Sequence, residues 1–322
     1  MIKQLRGIII LIFIISGIIN GQYPDPGPDY QMIMLNNPGL TGTEGDGFIR
    51  LSYKNYYPGQ GYNLYSGCIS YDGYLPSLHG GAGFFISNDY MGGIINDIHG
   101  GFSYAYYLQA GKKLFISAGL SASLYHRGYN FSGSVLPDQI GPLGGVTFPS
   151  GEMPASEGKN VLDLGTGFLF MTERLFWGIA VSHLTEPDID YSDGGGGKLG
   201  RKLLLHAAGD IAISREKNLK LRPVGKFEIM KGHLTAGAGT VVESKHLSVS
   251  ALLFVDREKN FDLQAGFALD TGSIEIFYSY RFNLVSGSNL LPFSLFHHTG
   301  IALGLNNVDK RRIIKTINYP DL

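Results

Sequence analysis

The histidines are the residues of this chain most able to do chemistry, because imidazole is a frequent metal ligand and general base. The chain has nine of them, and the densest group is the adjacent pair His297 and His298. If this pair lies on a strand, its side chains point to opposite faces and cannot easily hold one ion. His126, His183 and His206 have no cysteine or carboxylate at ligand spacing in the sequence. The sequence therefore predicts no metal site and no cofactor.

One acidic segment offers a second possible metal site. Asp188, Asp190 and Asp193 follow Glu186 at short intervals, and carboxylate oxygens are the ligands that Ca²⁺ prefers. No calcium-loop pattern surrounds these residues. A solvated acidic loop is therefore the favoured interpretation, and a calcium site is the alternative.

Two short motifs resemble parts of enzymes but lack their context. Residues 194–197 are four glycines followed by Lys198, whereas a phosphate-binding loop needs a different spacing and a strand leading into a helix. The serine of Ser66-Gly67-Cys68 lacks the pattern of a nucleophile elbow. No Ser, His and acid set can be assembled at one rim, as an outer-membrane hydrolase would require. We therefore predict a protein that is not an enzyme.

The overall composition favours a membrane β-barrel over a soluble protein. Charged residues make up 16% of the chain, against roughly 25% in an ordinary soluble domain. The chain has 46 glycines, 19 tyrosines and 19 phenylalanines. The mean hydropathy is only +0.04, as expected when each strand is half apolar and half polar. On composition alone, a soluble β-sandwich or β-propeller is the alternative.

The charge balance and the cysteine content exclude several other classes of protein. A formal net charge of −1 gives no electrostatic reason to expect a nucleic-acid partner. Cys68 is the only cysteine, so no disulfide can form within the chain. Since no catalytic or cofactor pattern is present either, no small-molecule substrate is expected.

Strict alternation of apolar and small or polar residues is the strongest structural signal, and residues 114–125 show it most clearly. Only an extended strand separates two such sets, because successive side chains point to opposite faces. One face carries Leu114, Ile116, Ala118, Leu120, Ala122 and Leu124, and the other carries Phe115, Ser117, Gly119, Ser121 and Ser123.

About fourteen runs of this kind follow one another along the chain. Each is about ten residues long, the length that a tilted strand needs to cross a bilayer. In hydrocarbon every backbone polar group must be paired within the protein, so the sheet must close on itself. We therefore predict an all-β, transmembrane, antiparallel barrel of the outer membrane. The runs start near residues 47, 62, 79, 97, 112, 160, 174, 201, 219, 232, 245, 260, 273 and 295.

The connections between the runs support a membrane barrel independently. The three longest, at about 132–159, 185–200 and 284–294, all have odd order along the chain. The even connections are short, as in Gln109-Ala110-Gly111. Outer-membrane barrels have short periplasmic turns and long outer loops, whereas a sandwich has no reason to sort its loops in this way.

The alternation also assigns polar and aromatic residues to the two faces of the wall. Charges on the inward face imply a polar lumen, and aromatic residues can form girdles at the membrane interfaces. The inward charges are Lys202, Asp210, Arg222, Lys226, Glu228 and Arg281. The girdle candidates are Tyr53, Tyr56, Tyr57, Tyr65, Tyr104, Tyr106, Trp177 and Tyr278.

The chain divides into four regions. Residues 1–21 form a basic start, an isoleucine-rich run and small residues, the pattern of a cleaved signal peptide; a membrane anchor is the alternative, but the run is short for a span. Residues 22–46 are irregular and rich in proline, and we expect them to fold under or into the barrel as a possible plug. The barrel covers 47–305, and a basic periplasmic tail covers 306–322.

Several motifs resemble those of the PorP/SprF family in order and spacing, over nearly the whole mature chain. Near the start, Tyr30 and the segment 35–42, with Asn37, Pro38 and Gly42, resemble the family's opening motif, although Gly39 stands where alanine is common. Later landmarks are Arg50 in the first hairpin, Tyr71 with Asp72, then Gly80, Gly81, Gly83 and Asp89, and finally the segment that contains His183 and Pro187. At the end, His298-Thr299 stands where the family commonly carries a His-Glu pair.

The resemblance implies a component of the type IX secretion system of Bacteroidota, which also serves gliding motility. It implies residence in the outer membrane, with the machinery or the C-terminal domain of a secreted adhesin as the partner. The expected function is therefore docking or anchoring. An outer-membrane channel or transporter for small solutes is the alternative, because fourteen strands leave room for a lumen.

Overall fold

A computed structural model of the protein describes residues 33–58, 63–111, 113–131, 135, 137–141, 146, 158–190, 197–214, 218–285 and 295–305. The predicted signal peptide, the basic tail and most of the predicted loop 132–159 lie outside these residues. Among the described residues, no helix combines the length and the apolar character needed to cross a membrane.

Fourteen antiparallel strands make up the described chain almost entirely, with one short helix, α1 (Ile33–Asn36), and three single turns of 3₁₀ helix, Pro38–Leu40, Pro76–Leu78 and Pro137–Gln139. Each predicted strand start lies within about three residues of the observed one. The strands are β1 Phe48–Tyr56, β2 Leu64–Leu75, β3 Gly80–Met91, β4 Ile95–Gln109, β5 Phe115–Tyr129, β6 Gly158–Met171, β7 Leu175–Ser182, β8 Lys202–Gly209 continued by Ile211–Ser214, β9 Leu219–Met230, β10 His233–Glu243, β11 Leu247–Asp256, β12 Phe261–Asp270, β13 Ile274–Val285 and β14 Phe296–Gly304.

The sheet closes into a barrel. Every strand pairs with its neighbour in sequence, and β1 pairs with β14 from Phe48 opposite Gly304 to Tyr56 opposite Phe296. Both parts of β8 pair with β9, so the break at Asp210 interrupts one strand and adds none. Closure leaves no open sheet edge, which is what a sheet in hydrocarbon requires. The prediction of a fourteen-strand antiparallel barrel is confirmed.

The two faces of the wall follow the predicted alternation. On β5, the outward Leu120 and Leu124 are each 66% exposed, whereas the inward Ser117 and Tyr125 are fully buried. The outward surface of the other strands is likewise apolar. It is the surface that lipid covers in an outer-membrane barrel.

The two ends of the barrel differ in their connections. The longest connections, 130–157, 183–201 and 286–295, all lie at one end, which we call the long-loop end. The connections at the other end, the short-turn end, are short and include 172–174 and 271–273. This arrangement confirms the predicted sorting of the loops.

The inner wall differs from the prediction in two respects. Tyr56, a girdle candidate, is 1% exposed and points into the barrel, where Ser66 Oγ lies 3.5 Å from its hydroxyl. The wall is also partly apolar, because Phe254 and Phe277 face inward and are buried. Arg281 lies over the ring of Phe254 at 3.8 Å, so part of the inward charge packs on aromatic surface.

Four of the five remaining inward charges, Asp210, Arg222, Lys226 and Glu228, have partners of opposite sign. Arg222 contacts Asp210 at 2.7 Å and Glu243 at 2.7 Å. Lys226 lies 3.2 Å from Glu228 on the same strand. Buried charges are tolerated when they are paired in this way, and the predicted inward orientation of these residues is confirmed.

Candidate functional site

The described part of the chain that precedes β1, residues 33–46, lies inside the barrel at the short-turn end, and we call it the N-terminal segment. Its conformation follows from the sequence Asn37-Pro38-Gly39. The Asn37 side chain accepts a hydrogen bond from Gly39 N at 2.8 Å, which caps the 3₁₀ turn, and Pro38 occupies the first helical position. Asparagine caps and a proline in the first turn are the preferred way to start a helix.

Asn37 also attaches the segment to the barrel wall. Its Nδ2 donates to Phe168 O of β6 at 3.2 Å and to His206 Nε2 of β8 at 2.9 Å. The residue is completely buried. The oxygen of the Asn37 amide is therefore hydrogen-bonded within the turn, and its nitrogen is hydrogen-bonded to two strands. Buried polar groups require such partners.

The apolar residues of the segment reach a dry part of the inner wall. Leu40 packs in a buried cluster with Phe115 of β5 and with Leu169 and Met171 of β6, against which Phe176 also packs. Burying one leucine side chain stabilises a structure by about 1.5–3 kcal/mol. This contact holds the middle of the segment against β5 and β6.

Polar groups of the wall satisfy the backbone of the segment. Ser117 Oγ donates to Gly39 O at 2.6 Å, and the Tyr107 hydroxyl donates to Thr41 O. The hydroxyls of Thr41 and Ser103 lie 2.6 Å apart. A buried irregular segment needs such partners for its backbone groups, and here β4 and β5 supply them.

A buried charge network ties the end of the segment to β1 and β2. Arg50 donates to Asp72 Oδ1 at 2.6 Å and to Glu44 Oε1 at 2.5 Å. Asp72 Oδ2 accepts a hydrogen bond from Gly42 N at 2.7 Å. Burial raises the pKa of the Glu44 carboxyl above its usual value, and the Arg50 charge opposes that rise. Asp72 thus links a backbone amide of the segment to the arginine of β1.

Glycines of the wall make room for the segment. Gly119 of β5 and Gly167 of β6 lie directly opposite each other in the sheet. A Cβ at Gly119 would come within 2.2 Å of the carbonyl carbon of Pro38, and one at Gly167 within 1.9 Å of Asn37 Oδ1. Any larger residue at either position would displace the segment, so these glycines permit a close backbone approach.

Seven of the residues selected by family resemblance surround the N-terminal segment or belong to it. A Cβ at Gly81 would lie 1.9 Å from Thr41 O, and one at Gly83 would lie 2.5 Å from Met34 Sδ. The seven are Asn37, Pro38, Gly42, Arg50, Asp72, Gly81 and Gly83.

The structure places the other five elsewhere. Tyr71 faces outward beside Phe84, and a Cβ at Gly80 would meet Ala105 O of the neighbouring strand at 2.0 Å. Asp89 accepts a hydrogen bond from Ser66 on the inner wall. His183 and Pro187 lie in the connection between β7 and β8, at the opposite end of the barrel.

His183 has a partner that the sequence did not reveal. Its Nδ1 lies 2.6 Å from Asp163 Oδ2, and both side chains are buried. The prediction from the sequence concerned only carboxylates at ligand spacing along the chain. It therefore missed Asp163, which is distant in the sequence but close to His183 in the structure. Asp163 lies on β6, and His183 directly follows the neighbouring strand β7, which brings the two side chains together.

A second buried cluster was also missed. Arg127 of β5 holds Asp97 of β4 through two hydrogen bonds, of 2.7 and 2.6 Å, and the Tyr125 hydroxyl also donates to Asp97. Arginine and carboxylate pairs of this two-pronged geometry are among the strongest polar contacts. Only the pairing register of β4 with β5 could have revealed this cluster from the sequence, because Asp97 lies opposite Arg127 in that register.

The candidate metal-binding residues point to opposite faces of the wall or pair with basic side chains. His297 contacts Tyr278 on the outward face, whereas His298 is buried on the inward face. Asp188 pairs with Lys159 at 3.4 Å, and Glu186 pairs with Arg201 at 3.3 Å. Asp193 lies outside the described residues. Within the described residues, no three His, Cys, Asp or Glu side chains are close enough to hold a metal ion.

Comparison with known families gives one match, which covers most of the chain. The sequence matches the family described as "Type IX secretion system membrane protein PorP/SprF" over residues 29–290. No curated protein matches the chain at a significant level.

Solved structures that resemble the chain are outer-membrane barrels. A TodX deletion mutant, described as a monoaromatic hydrocarbon channel, is 11% identical with a TM-score of 0.50, over 84% of this chain and 92% of its own. An outer-membrane channel from Pseudomonas putida F1 is 10% identical with a TM-score of 0.43, over 87% and 99%. The Acinetobacter baumannii protein Omp33 is 8% identical with a TM-score of 0.42, over 83% and 99%. The similarity to the TodX structure shows only that the two chains share a fold.

Proposed function

The chain belongs to the PorP/SprF family of type IX secretion system membrane proteins, and from this premise we propose that it works by binding, as a docking or anchoring barrel. Its partners are components of the secretion machinery or the C-terminal domain of a secreted adhesin. Lipid of the outer membrane surrounds its apolar outer wall. Secretion and gliding are the processes that it serves.

The observation that carries this proposal is the occupied lumen. Residues 33–46 lie inside the short-turn end and make buried contacts with β1, β2, β4, β5, β6 and β8. A lumen occupied by a firmly attached segment suits a binding scaffold better than a conduit for solutes. We propose that this segment is a permanent plug.

The loop lengths support one orientation in the membrane, which is part of this proposal. Since outer-membrane barrels turn tightly on the periplasmic side, the short-turn end and the tail 306–322 face the periplasm, after cleavage of a signal peptide at residues 1–21. The connections 130–157 and 183–201 face the cell exterior. They form the surface that grips an adhesin, while the short-turn end is available to the machinery.

The test compares binding with transport. The full chain in detergent is mixed with the C-terminal domain of a type IX-secreted adhesin, and with an adhesin fragment that lacks this domain as the control. Retention of the first but not the second supports the proposal. In parallel, the protein in liposomes is assayed for uptake of small sugars and of aromatic hydrocarbons. Rapid uptake without retention would establish the alternative, a solute channel.

A further inference from the structure

Two parts of the connection between β7 and β8, residues 183–190 and 197–201, fold inward at the long-loop end. They run antiparallel to each other, and we call them the outer hairpin. Asp188 pairs with Lys198 in an isolated bridge, Ile189 N donates to Gly197 O at 3.3 Å, and Leu199 N donates to Pro187 O at 2.9 Å. The connection is therefore an ordered hairpin over these residues.

Two aliphatic side chains of the outer hairpin are buried in the mouth of the barrel. Ile189 is 7% exposed and Leu199 is 6% exposed, and they pack with Tyr125 and Met230. Tyr125 belongs to β5 and Met230 to β9, and both point inward. The hairpin therefore lies across the part of the mouth between these two strands.

Polar contacts fasten the hairpin to the same wall. The Tyr129 hydroxyl donates to Ile189 O at 2.8 Å. Lys159 Nζ donates to Asp190 O at 3.2 Å and lies 3.4 Å from Asp188. The backbone N–H of Asp190 and the Lys159 charge lower the pKa of the Asp188 carboxyl. These contacts come from the ends of β5 and β6.

The base of the hairpin is fixed in an unusual backbone conformation. His183 and Glu186 have φ angles of 58° and 45°, a region that non-glycine residues adopt rarely and that requires support from their surroundings. The support comes from β6, where Asp163 holds His183, and where Leu164 O accepts from Leu184 N at 2.9 Å. The chain direction therefore changes at a defined point at the base of the hairpin.

From these contacts we propose that the outer hairpin is a releasable latch, which covers the part of the long-loop mouth between β5 and β9 while Ile189 and Leu199 are seated on Tyr125 and Met230. The latch and the N-terminal segment enclose the stretch of inner wall between them. On β5 this stretch begins after Gly119, which contacts the segment, and ends before Tyr125, which contacts the latch. Release of the latch exposes this stretch to the outside.

The test measures how fast a small anionic maleimide reaches the enclosed wall in protein embedded in lipid nanodiscs. Ser121 points inward within the enclosed stretch and is partly accessible. The reporter protein carries Ser121→Cys and Cys68→Ser. In this background, Ile189→Asn with Leu199→Asn should raise the labelling rate at least about tenfold, since burial of one aliphatic side chain is worth more than a factor of ten in an equilibrium.

The matched control is Ile140→Asn, which makes the same replacement at an isoleucine of the long-loop end that is 51% exposed. It should leave the labelling rate unchanged. An unchanged rate in the double variant, or an equal rise in the control, would overturn the latch. Migration on unboiled gels shows whether each barrel is folded.

If the double variant does not fold, Tyr129→Phe provides the second test, because it removes one hydroxyl and keeps the ring. It should raise the labelling rate about threefold, in line with the loss of one neutral hydrogen bond. No rise would contradict the latch. Since labelling needs no partner protein, this result is separate from any failure of the adhesin-binding experiment.

Discussion

The N-terminal segment and the outer hairpin occupy opposite ends of the same lumen and are held there by different means. The segment lies on glycines, and backbone bonds and a buried charge network tie it to six strands. The base of the hairpin is fixed to β6 through His183 and Leu184, but its outer part is held by two aliphatic side chains, one phenol and one lysine. The physical difference is that the segment is built into the wall, whereas the outer part of the hairpin rests on it. We therefore expect the contacts of the segment to be permanent and those of the outer part of the hairpin to be reversible.

The largest expected effect concerns the charge network beneath the segment. Asp72→Ala leaves Arg50 buried with Glu44 alone and deprives Gly42 N of its acceptor. Breaking a buried ion pair costs about 3–5 kcal/mol, and the retained Glu44 keeps the loss near the lower limit. The measurement is the urea dependence of the free energy of unfolding in detergent.

The matched control for Asp72 is the exposed ion pair between Lys113 and Glu173, whose side chains are 71% and 55% exposed. Glu173→Ala should cost no more than about 1 kcal/mol. Equal losses in the two variants would mean that the segment is not held by buried charge.

The next effect concerns the glycine contact. Gly119→Ala places a methyl group within 2.2 Å of the backbone of Pro38, and overpacking of this kind costs about 1–3 kcal/mol. The segment should leave its seat, so that Glu-C protease cleaves after Glu44. The control is Gly225→Ala, because a Cβ at Gly225 meets no atom within 4 Å. If the Gly119→Ala variant resists cleavage, the contact between β5 and the segment can accommodate a methyl group despite the short distance.

A smaller effect is expected for the cap of the segment. Asn37→Ala removes the acceptor of Gly39 N and the donor to Phe168 O, at a cost of about 2 kcal/mol by the usual values for a cap and one buried hydrogen bond. The unfolding midpoint should fall, and cleavage after Glu44 should become detectable. Asn37→Asp should recover the cap but not the bond to Phe168 O. If both variants behave like the original protein, Asn37 does not hold the segment.

The smallest effect is expected at the latch. Lys159→Met removes the ammonium group and keeps most of the stem, and a partly exposed ion pair contributes about 0.5 kcal/mol. Labelling of the Ser121→Cys reporter should rise about twofold in this variant. The reporter protein that keeps Lys159 should show a similar rise in high salt, which screens the pair. A large loss of stability in this variant would remove the contrast between the two ends.

Much of the architecture could be predicted because its signal is local. The alternation along residues 114–125 separated the two faces of β5 correctly, and the structure places Leu120 on the outward face and Ser117 on the inward face. Loop lengths separated the two ends, since a tight turn is visible in the sequence itself. The two-residue period of a strand can be recognised from that strand alone, because successive side chains point to opposite faces.

Contacts between side chains that are distant in the sequence could not be predicted from the same signal. His183 and Asp163 are twenty positions apart, and nothing in their sequence neighbourhood relates them. Tyr56 was assigned to an interfacial girdle by its residue type, yet its place in the alternation of β1 directs it inward. Side-chain type is a weaker guide than strand position when both faces of the wall carry tyrosine.

By itself the sequence determined that the chain forms a closed antiparallel barrel with distinct ends, because alternation and turn chemistry are properties of neighbouring residues. Only the tertiary structure decided which residues face one another across the lumen. The seating of Asn37 on β6 and β8, and of Ile189 between β5 and β9, depends on strand register and on the tilt that closes the sheet. Those quantities emerge from all fourteen strands together, so no short stretch of sequence contains them.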